Sequence, residues 1–391
     1  MTPGARFAAA IEILDQWLAG ERAERALTRW ARANRFAGSK DRAAIRDHVY
    51  DAIRQRRSLH AWGGAGTGRG LILGSIRQVG DPADIFTGTH YDPPELSKAE
   101  ADWDGPPPMS DAERLDWPDW LWDDIGPVLG EGREAALTQM RLRAPVFLRV
   151  NSLKATRDEA IAALAAEDIT CQPHELAETA LLVTTNARRV AQSAAFKQGL
   201  VELQDTASQA VVDHAGPRPG ETVLDYCAGG GGKTLALAAA TGDEVWAHDA
   251  SPTRMGDLPA RARRAGAKVK IVQSADELAR KFDLVLCDAP CSGSGSWRRD
   301  PEGKWRLTPD ALTELTRTQA EILRKSAPLV HETGRLAYVT CSMLPAENKT
   351  QIDAFLSEHA NWRLASERQF TPLDGGDGFY VAILTQSPVA L

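Results

Sequence analysis

The second half of this sequence alternates short apolar runs with helix-like stretches, and this pattern restricts the fold more than any other feature. The runs are TVLDYC, EVWAHD, VKIV, FDLVLCD, RLAYVTC and YVAIL, and the stretches between them include 312–329 and 348–358. Strands alternating with helices are typical of a doubly wound α/β sheet, whose ligands bind at the carboxyl ends of the strands. We therefore predict an α/β catalytic domain over 203–391, with its site at those strand ends.

The first half of the chain divides into three segments that differ in composition. Residues 1–80 show apolar residues at helical spacing, which predicts a helical domain. Residues 81–140 form an acidic, Trp-rich connector, and 141–202 combine strand-like runs with one helical stretch, as in a small α+β subdomain. The string GGAGTGRG at 63–70 follows no strand, so it predicts a flexible turn and not a nucleotide-binding loop.

Charge and cysteine content narrow the class of protein further. The 391 residues carry a formal net charge of −7, but the acidity is concentrated in 81–134, whereas 1–62 is basic. The sequence contains no apolar run of membrane-helix length and no signal-peptide pattern, so we expect a soluble, cytoplasmic monomer without a membrane partner. The five cysteines include no CxxC pair and the eight histidines show no ligand spacing, which indicates reduced thiols and no metal site.

A glycine-rich loop follows the first strand of the second half. The string CAGGGGKT at 227–234 lets the backbone approach a ligand closely and present its amide groups. It differs from a phosphate-binding P-loop in that Cys227 replaces the first glycine, so a nucleotide hydrolase is a serious alternative. Asp249 lies where a carboxylate binds a ribose diol, and Asp276 follows the next strand. Together with Asp225, these strand-end acids favour a neutral or cationic adenosyl ligand over a triphosphate.

Two cysteines end strands beside this loop. Cys291 lies in DAPCSGSG and Cys341 lies in TCS, and each directly precedes a serine. Cys171 and Cys287, by contrast, are expected to fill apolar space. Two thiols beside an adenosyl cofactor indicate a thiol-dependent group transfer.

These strings resemble the motifs of a known enzyme family. QDTASQ, CAGGGGKT, DAPCSGSG and VTCSMLPAEN are similar to the signature motifs of the RsmB/Sun (Nop2-related) RNA 5-methylcytosine methyltransferases, which use S-adenosylmethionine. RLRAPVFLRVNSLKAT resembles the start of that family's RRM-like subdomain, and GSKDRAAIRDHVYDAIRQRRSL resembles the NusB-like RNA-binding domain of its bacterial branch. The resemblance implies a NusB-like helical domain at 1–80, the connector at 81–140, an RRM-like subdomain at 141–202 and a Rossmann-like class I methyltransferase domain at 203–391.

The resemblance also implies roles for individual residues. Cys341 is the nucleophile that adds to carbon 6 of cytosine, and Cys291 assists resolution of the adduct after methylation. Asp288 acts at ring nitrogen 3 and carries a proton in the reacting complex, while Lys233 contacts Asp288 or the cytosine. The cofactor-binding residues implied are Cys227, Ala228, Gly229, Gly230, Gly231, Gly232, Lys233, Asp249, Arg254, Asp276 and Asp288.

This chain departs from the family pattern in and after the cofactor loop. Gly229 and Gly230 replace an Ala-Pro pair, which predicts a more flexible loop and weaker cofactor binding. The stretch after Arg254 contains Gly256 and Pro259 and is expected to be irregular. Neither change removes a thiol or a strand-end acid.

Two basic segments are expected to contact RNA. One is the arginine-rich helical region with Arg54, Arg56 and Arg57, and the other is WRRDPEGKWR at 297–306, directly after the catalytic loop. We expect ribosomal RNA as the substrate, with transfer RNA as an alternative. The rival functions are those of a DNA cytosine methyltransferase, whose PCQ motif is absent here, a P-loop nucleotide hydrolase, and a non-catalytic RNA-binding or assembly factor.

Overall fold

The computed structural model describes residues 1–274, 278 and 280–386. The chain forms two compact units, which we call the helical unit (Met1–Arg143 and Trp297–Arg306) and the sheet unit (Ala144–Ser296 and Leu307–Leu391). Among the described residues, no helix is long and apolar enough to cross a membrane.

The helical unit contains ten α-helices, numbered here in chain order. They are α1 (Pro3–Leu18), α2 (Ala23–Ala33), α3 (Ser39–Arg54), α4 (Arg56–Gly63), α5 (Gly68–Arg77), α6 (Lys98–Ala101), α7 (Asp111–Arg114), α8 (Trp122–Leu129), α9 (Arg133–Met140) and α15 (Pro301–Arg306). The first helix begins at Pro3 because Thr2 accepts a hydrogen bond from the Ala5 amide at 3.1 Å and caps it. The core is formed by apolar residues at helical spacing, such as Ile13, Ile45 and Leu71, which are fully buried.

Glycines bring α4 and α5 into direct backbone contact. A Cβ atom at Gly63 would lie 1.8 Å from the Gly70 carbonyl oxygen, and one at Gly74 would lie 2.2 Å from the Leu59 carbonyl oxygen. A turn is present as predicted only at residues 64–67, and its flexibility stays a prediction. Residues 68–70 instead form the first turn of α5, because Thr67 caps this helix by accepting from the Gly70 amide at 3.1 Å.

The arginines at the end of α3 and in α4 stabilise the helical unit. Arg54 is 6% exposed and donates through Nε to the Arg298 carbonyl oxygen at 2.7 Å. Arg57 pairs with Asp119 at 2.7 Å, and Arg56 lies over two tryptophan rings. The prediction of an RNA contact is wrong for Arg54, which is buried, and Arg57 is held in an ion pair. Arg56 is exposed, so an RNA contact there stays a prediction.

Part of the segment 297–306 lies in the interior of the helical unit, whereas Arg299 and Arg306 are exposed. Arg298 is 3% exposed and Lys304 is 4% exposed, and the Lys304 ammonium donates to the Arg54 carbonyl oxygen at 2.9 Å. Burial lowers the pKa of Lys304 to about 8. The prediction that these two residues hold a nucleotide is therefore wrong.

The described residues of the sheet unit form eleven β-strands in two sheets and seven α-helices. The strands are β1 (Phe147–Val150), β2 (Cys171–Pro173), β3 (Ala180–Val183), β4 (Val201–Leu203), β5 (Val223–Asp225), β6 (Val245–His248), β7 (Val269–Val272), β8 (Phe282–Asp288), β9 (Val330–Thr340), β10 (Trp362–Phe370) and β11 (Phe379–Gln386). The helices are α10 (Arg157–Ala165), α11 (Ala194–Lys197), α12 (Thr206–Ala215), α13 (Gly232–Thr241), α14 (Leu258–Ala265), α16 (Pro309–Ser326) and α17 (Lys349–Glu358).

The larger sheet has the strand order β10-β11-β9-β8-β5-β6-β7. Strands β9, β8, β5, β6 and β7 are parallel, whereas β11 pairs antiparallel with β9 and with β10. Apolar clusters cover both faces of this sheet, as expected for strands that are apolar throughout. The predicted α/β, Rossmann-like fold class is confirmed, and the reversal of strand order beside β5 places a ligand site at its carboxyl end.

The smaller sheet is antiparallel, with the order β2-β3-β1-β4. Helix α10 begins with a capping box between Thr156 and Glu159, and its Leu164 packs in the same core as Leu148 and Leu181 of the sheet. The predicted small α+β subdomain is confirmed.

Candidate active site

Four parallel strands deliver the predicted polar residues to one edge of the larger sheet. Strand β5 ends at Asp225 and β8 ends at Asp288, while Asp249 directly follows β6 and Cys341 directly follows β9. Because these strands pair in parallel, their carboxyl ends lie at the same edge. The prediction that the motifs meet at strand ends is confirmed for these residues.

The glycine loop turns tightly between β5 and α13. Gly229 and Gly231 have φ angles of +49° and +83°, a conformation that favours glycine. A Cβ atom at Gly231 would lie 2.3 Å from Cδ1 of Leu258, so the side of the loop that faces α14 is filled. The amide of Ala228 donates to the His248 carbonyl oxygen at 2.9 Å and ties the loop to the end of β6.

Asp249 joins this loop to the loop that follows β6. Its carboxylate, which is 2% exposed, accepts from the Gly229 amide at 2.9 Å and from the Ser251 amide at 2.9 Å. Arg254 lies 3.3 Å from the same carboxylate, and its side chain is 56% exposed. The sequence predicted both residues as cofactor ligands, and the structure places Arg254 as the ionic partner of Asp249.

Asp225 carries a carboxylate oxygen with no partner. One oxygen accepts from the Thr234 hydroxyl at 2.7 Å, but Oδ1 is buried and forms no hydrogen bond with the described part of the chain. Burial raises the pKa of Asp225 to about 7. An orphaned acceptor of this kind, next to the glycine loop, suits a ligand that brings a hydrogen-bond donor or a positive charge.

The smaller sheet braces the glycine loop through Arg149 of β1. This residue is 4% exposed and donates through Nη1 to the Gly232 carbonyl oxygen at 2.7 Å and also to Gln204. Burial lowers the pKa of Arg149 to about 10. Arg261 of α14 donates to the Gly230 carbonyl oxygen in a similar way. Sequence reasoning missed these contacts, because the arginine and the glycine that it holds are distant along the chain.

The two predicted thiols are neighbours. The Sγ atoms of Cys291 and Cys341 lie 3.2 Å apart, and both side chains are partly buried. A hydrogen bond from Cys291 lowers the pKa of Cys341, and the nearby Lys233 ammonium lowers it further, against the opposing effects of burial and Asp288. The same hydrogen bond and burial raise the pKa of Cys291. The arrangement favours a thiolate on Cys341 and a thiol on Cys291.

Lys233 and Asp288 form an ion pair beside the thiols. The Lys233 ammonium lies 2.7 Å from the Asp288 carboxylate and 5.0 Å from the centre of the Phe379 ring. Burial acts to lower the pKa of Lys233, but the charge and the hydrogen bond of Asp288 prevail and raise it. Lys233 therefore stays protonated and remains a hydrogen-bond donor to Asp288.

Glu347 holds the two cysteine loops together. It is fully buried and accepts from the Ser292 amide at 2.8 Å, from Gln319 at 3.0 Å, and from the hydroxyl groups of Ser292 and Ser342. Each serine directly follows one of the two cysteines, so this one carboxylate fixes the separation of the thiols. The sequence places Glu347 within the string VTCSMLPAEN, but nothing in the sequence alone shows which groups it contacts.

The remaining predicted site residues can be placed briefly. Cys227 and Ala228 begin the glycine loop, and Gly230 and Gly232 continue it into α13. Asp276 lies outside the described residues. No group of three or more potential metal ligands occurs in the described part of the chain.

Models of protein families match two parts of this chain. Residues 214–385 match the 16S rRNA methyltransferase RsmB/F family. Residues 117–190 match the ferredoxin-like domain of RsmF/B-like methyltransferases. The second match begins within the segment that composition marks as the acidic connector.

Curated relatives match about two thirds of this chain or slightly more. The chain is 34% identical to the ribosomal RNA small subunit methyltransferase B of Serratia proteamaculans, over 68% of this chain and 66% of the relative. It is 33% identical to the protein of the same name from Vibrio cholerae, over 71% of this chain and 67% of the relative. The aligned region thus spans about two thirds of the length of these relatives, and 59% of a similar protein from Synechocystis.

Solved structures resemble the chain as well. PH0851 is 25% identical and covers 99% of both chains with a TM-score of 0.77. A methyltransferase homologue from Pyrococcus horikoshii covers 71% of this chain and 100% of its own, with a TM-score of 0.63 and 24% identity, and supports the fold alone. On the family models and the relatives together, this chain belongs to the RsmB/F methyltransferase family.

Proposed function

We propose that this protein is an S-adenosylmethionine-dependent RNA (cytosine-5) methyltransferase that acts on ribosomal RNA. The observation that carries the proposal is the pair of thiols 3.2 Å apart at the edge of the sheet where the Lys233–Asp288 ion pair also lies. The names of the curated relatives, which are methyltransferases of small subunit ribosomal RNA, support the same conclusion. The NusB-like nature of 1–80 and the RRM-like nature of 141–202 are parts of this proposal.

The residues around the glycine loop fit S-adenosylmethionine. The backbone of 227–233 would approach the cofactor, Asp249 would bind the ribose, and the unpartnered Oδ1 of Asp225 would face a cationic or donor group. The chemistry that the cofactor supplies when bound is a methyl group activated on a positively charged sulfur. Because Lys233 is held by Asp288 at 2.7 Å, it is poorly placed to bind a triphosphate, which disfavours the P-loop hydrolase.

Cys341 would act as the nucleophile. Carbon 5 of cytosine is a weak nucleophile, so a thiolate must first add to carbon 6 and turn the ring into an enamine. The lowered pKa of Cys341 increases the thiolate fraction at neutral pH. The Lys233–Asp288 pair would supply the hydrogen bond and the proton that ring nitrogen 3 needs as charge develops there.

Cys291 would assist both formation and release of the adduct. Its thiol keeps its proton and donates to Cys341, which stabilises the thiolate before it attacks. For release, a water molecule accepts the carbon 5 proton, the electron pair of that C–H bond restores the carbon 5–carbon 6 double bond, and the carbon 6–sulfur bond breaks. The hydrogen bond from Cys291 would stabilise the departing Cys341 thiolate. Glu347 maintains this geometry, because it binds both serines that follow the cysteines.

The test compares variants of the two thiols on an unmodified small subunit rRNA transcript, and mass spectrometry identifies 5-methylcytosine. Cys341→Ala should lower methyl transfer by at least about 10³-fold and form no covalent protein–RNA conjugate. Cys291→Ala should still form the conjugate and accumulate it. Cys171→Ala, a partly buried cysteine of the small sheet, is the matched control and should behave like the wild type.

The pH dependence of conjugate formation sharpens this assignment. Loss of the Cys291 hydrogen bond removes the largest effect that lowers the pKa of Cys341, so that pKa should rise in Cys291→Ala. The acidic limb of the rate profile should therefore move to higher pH. A covalent conjugate formed by Cys341→Ala, or undiminished methylation by that variant, would contradict the assignment of Cys341 as the nucleophile. Methylation of transfer RNA and not of ribosomal RNA would contradict the proposed substrate.

A further inference from the structure

A basic groove in the helical unit is separate from the arginines that stabilise the fold. It lies between α2 and α3 and has a volume of about 480 Å³. Its floor is lined by the buried apolar residues Leu27, Trp30 and Ile45. Its basic residues are Arg32, Arg35, Arg42 and Arg46.

The arginines of this groove retain free donors. Arg32, Arg35 and Arg46 are exposed, and within the described ranges they form no hydrogen bond and no ion pair. Arg42 uses only its Nε atom, which donates to the Ala37 carbonyl oxygen at 2.9 Å. On α2, by contrast, Arg29 is bound to Glu21 at 2.6 Å. Unpaired guanidinium groups that face one groove repel one another and are stabilised by an anion.

The carboxylate that lines the groove does not neutralise it. Glu24 accepts a hydrogen bond from the Tyr50 hydroxyl at 3.1 Å and forms no ion pair within the described part of the chain. Four positive charges therefore face one negative charge. Arg42 and Arg46 lie four residues apart and share one face of α3, while Arg32 lies in the last turn of α2 and Arg35 follows that helix. Two pairs of positive charges on opposite sides of a groove are better suited to bind an extended polyanion than to bind a single small anion.

An exposed aromatic residue directly follows one of these arginines in the chain. Phe36 lies in the turn between α2 and α3, next to Arg35, and is 74% exposed. An exposed aromatic ring beside free arginines is a platform on which an unpaired base can stack.

We propose that this groove binds the phosphate backbone of the substrate RNA and that Phe36 stacks on an unpaired base. The proposal rests on the proposed RNA methyltransferase function and names a surface that function would use. Binding of this kind releases counterions, so the affinity should depend strongly on salt concentration.

The test is RNA binding to the full chain as a function of salt, with the small subunit rRNA transcript as the probe. The triple variant Arg32→Gln, Arg35→Gln, Arg46→Gln removes three phosphate contacts, so the slope of log affinity against log salt should fall by about 2. The affinity near physiological salt should fall about 10-fold or more. Phe36→Ala should weaken binding by about 5-fold or more with the slope unchanged, because stacking involves no counterion release.

A matched control removes the same charge elsewhere. The triple variant Arg317→Gln, Arg324→Gln, Lys325→Gln changes three exposed cations of α16 and should retain the wild-type slope and affinity. Equal losses of RNA affinity in both triple variants would indicate diffuse charge attraction and would contradict binding at the groove. An unchanged salt slope in the groove variant would also contradict it. Equal affinity of S-adenosylmethionine for all variants, measured by calorimetry, shows that the sheet unit remains folded.

These outcomes separate the groove from the catalytic proposal. If the wild type binds the transcript through the groove but transfers no methyl group, the proposed function fails and the groove stands. If methyl transfer proceeds and the groove variant binds RNA as the wild type does, the groove fails and the function stands. Preferential binding of an acidic protein, with RNA binding unaffected by the triple variant, would overturn the proposal and assign the surface to another class of partner.

Discussion

The two glycine-rich segments of this protein, GGAGTGRG and CAGGGGKT, have similar compositions, but glycine is needed in each for a different structural reason. In GGAGTGRG the glycines allow two helices to touch, and a Cβ atom at Gly63 or Gly70 would meet backbone within about 2 Å. In CAGGGGKT, Gly229 and Gly231 adopt left-handed backbone conformations, and the carbonyl groups of Gly230 and Gly232 are held by arginines. Glycine therefore serves close packing in one unit and loop shape in the other, and a count of glycines cannot distinguish the two uses.

The largest expected effect is at Gly63. Gly63→Ala places a methyl group against the Gly70 carbonyl oxygen, so α4 and α5 must separate, and the free energy of unfolding of the helical unit should fall by about 3 kcal/mol. Urea unfolding followed by tryptophan fluorescence measures this, since all tryptophans except Trp246 and Trp362 lie in this unit. Gly80→Ala is the control, because nothing lies within 4 Å of its Cβ position, and a similar loss there would refute the packing explanation.

A smaller effect is expected in the cofactor loop. Gly231→Ala combines a φ of +83° with a contact of 2.3 Å to the buried Leu258, whereas Gly242→Ala has a φ of +73° and open space. The left-handed conformation costs about 1–2 kcal/mol in either case. We expect Gly231→Ala to be about 1 kcal/mol more destabilising and to weaken S-adenosylmethionine binding in calorimetry. Equal effects of the two variants on stability and binding would show that the shape of the loop does not depend on α14.

The smallest expected effect concerns the brace on the cofactor loop. Arg149→Met keeps much of the buried volume but removes the hydrogen bonds to Gly232 and Gln204, so the affinity for S-adenosylmethionine should fall about 10-fold. Because Arg149 acts through the loop, saturating cofactor should restore most of the rate of methyl transfer. Arg188→Met, an exposed arginine on the same small subdomain, is the control. A fall in the saturated rate without a change in affinity would contradict this positioning role.

Sequence reasoning was most successful where chemistry follows from strand order. The carboxyl ends of parallel strands meet by geometry, so the neighbourhood of Asp249, Asp288 and Cys341 could be predicted from where the apolar runs stop. The strand Trp362–Phe370 was missed, because it is an edge strand whose central residues are exposed and polar.

Sequence reasoning failed where a charged side chain is used inside the fold. Arg54 and Lys304 resemble surface cations in the sequence, yet both are buried and bound to backbone carbonyl groups. Glu347 and Arg149 were missed for the same reason, since their partners come from distant parts of the chain. The sequence around a residue shows the charge of its side chain but does not show which groups surround that side chain in the fold.

The excursion of the chain through the helical unit at 297–306 has a consequence for biosynthesis. The ribosome releases α1–α9 long before it makes Trp305, whose indole donates to the Ile53 carbonyl oxygen, and Lys304, which donates to the Arg54 carbonyl oxygen. N-terminal domains usually complete their fold first during translation. Here the N-terminal unit cannot complete its core until the loop that carries Cys291 and the segment 297–306 after it have been synthesised. Completion of the first unit of the nascent chain thus becomes a late step, tied to translation past the first of the two cysteine loops.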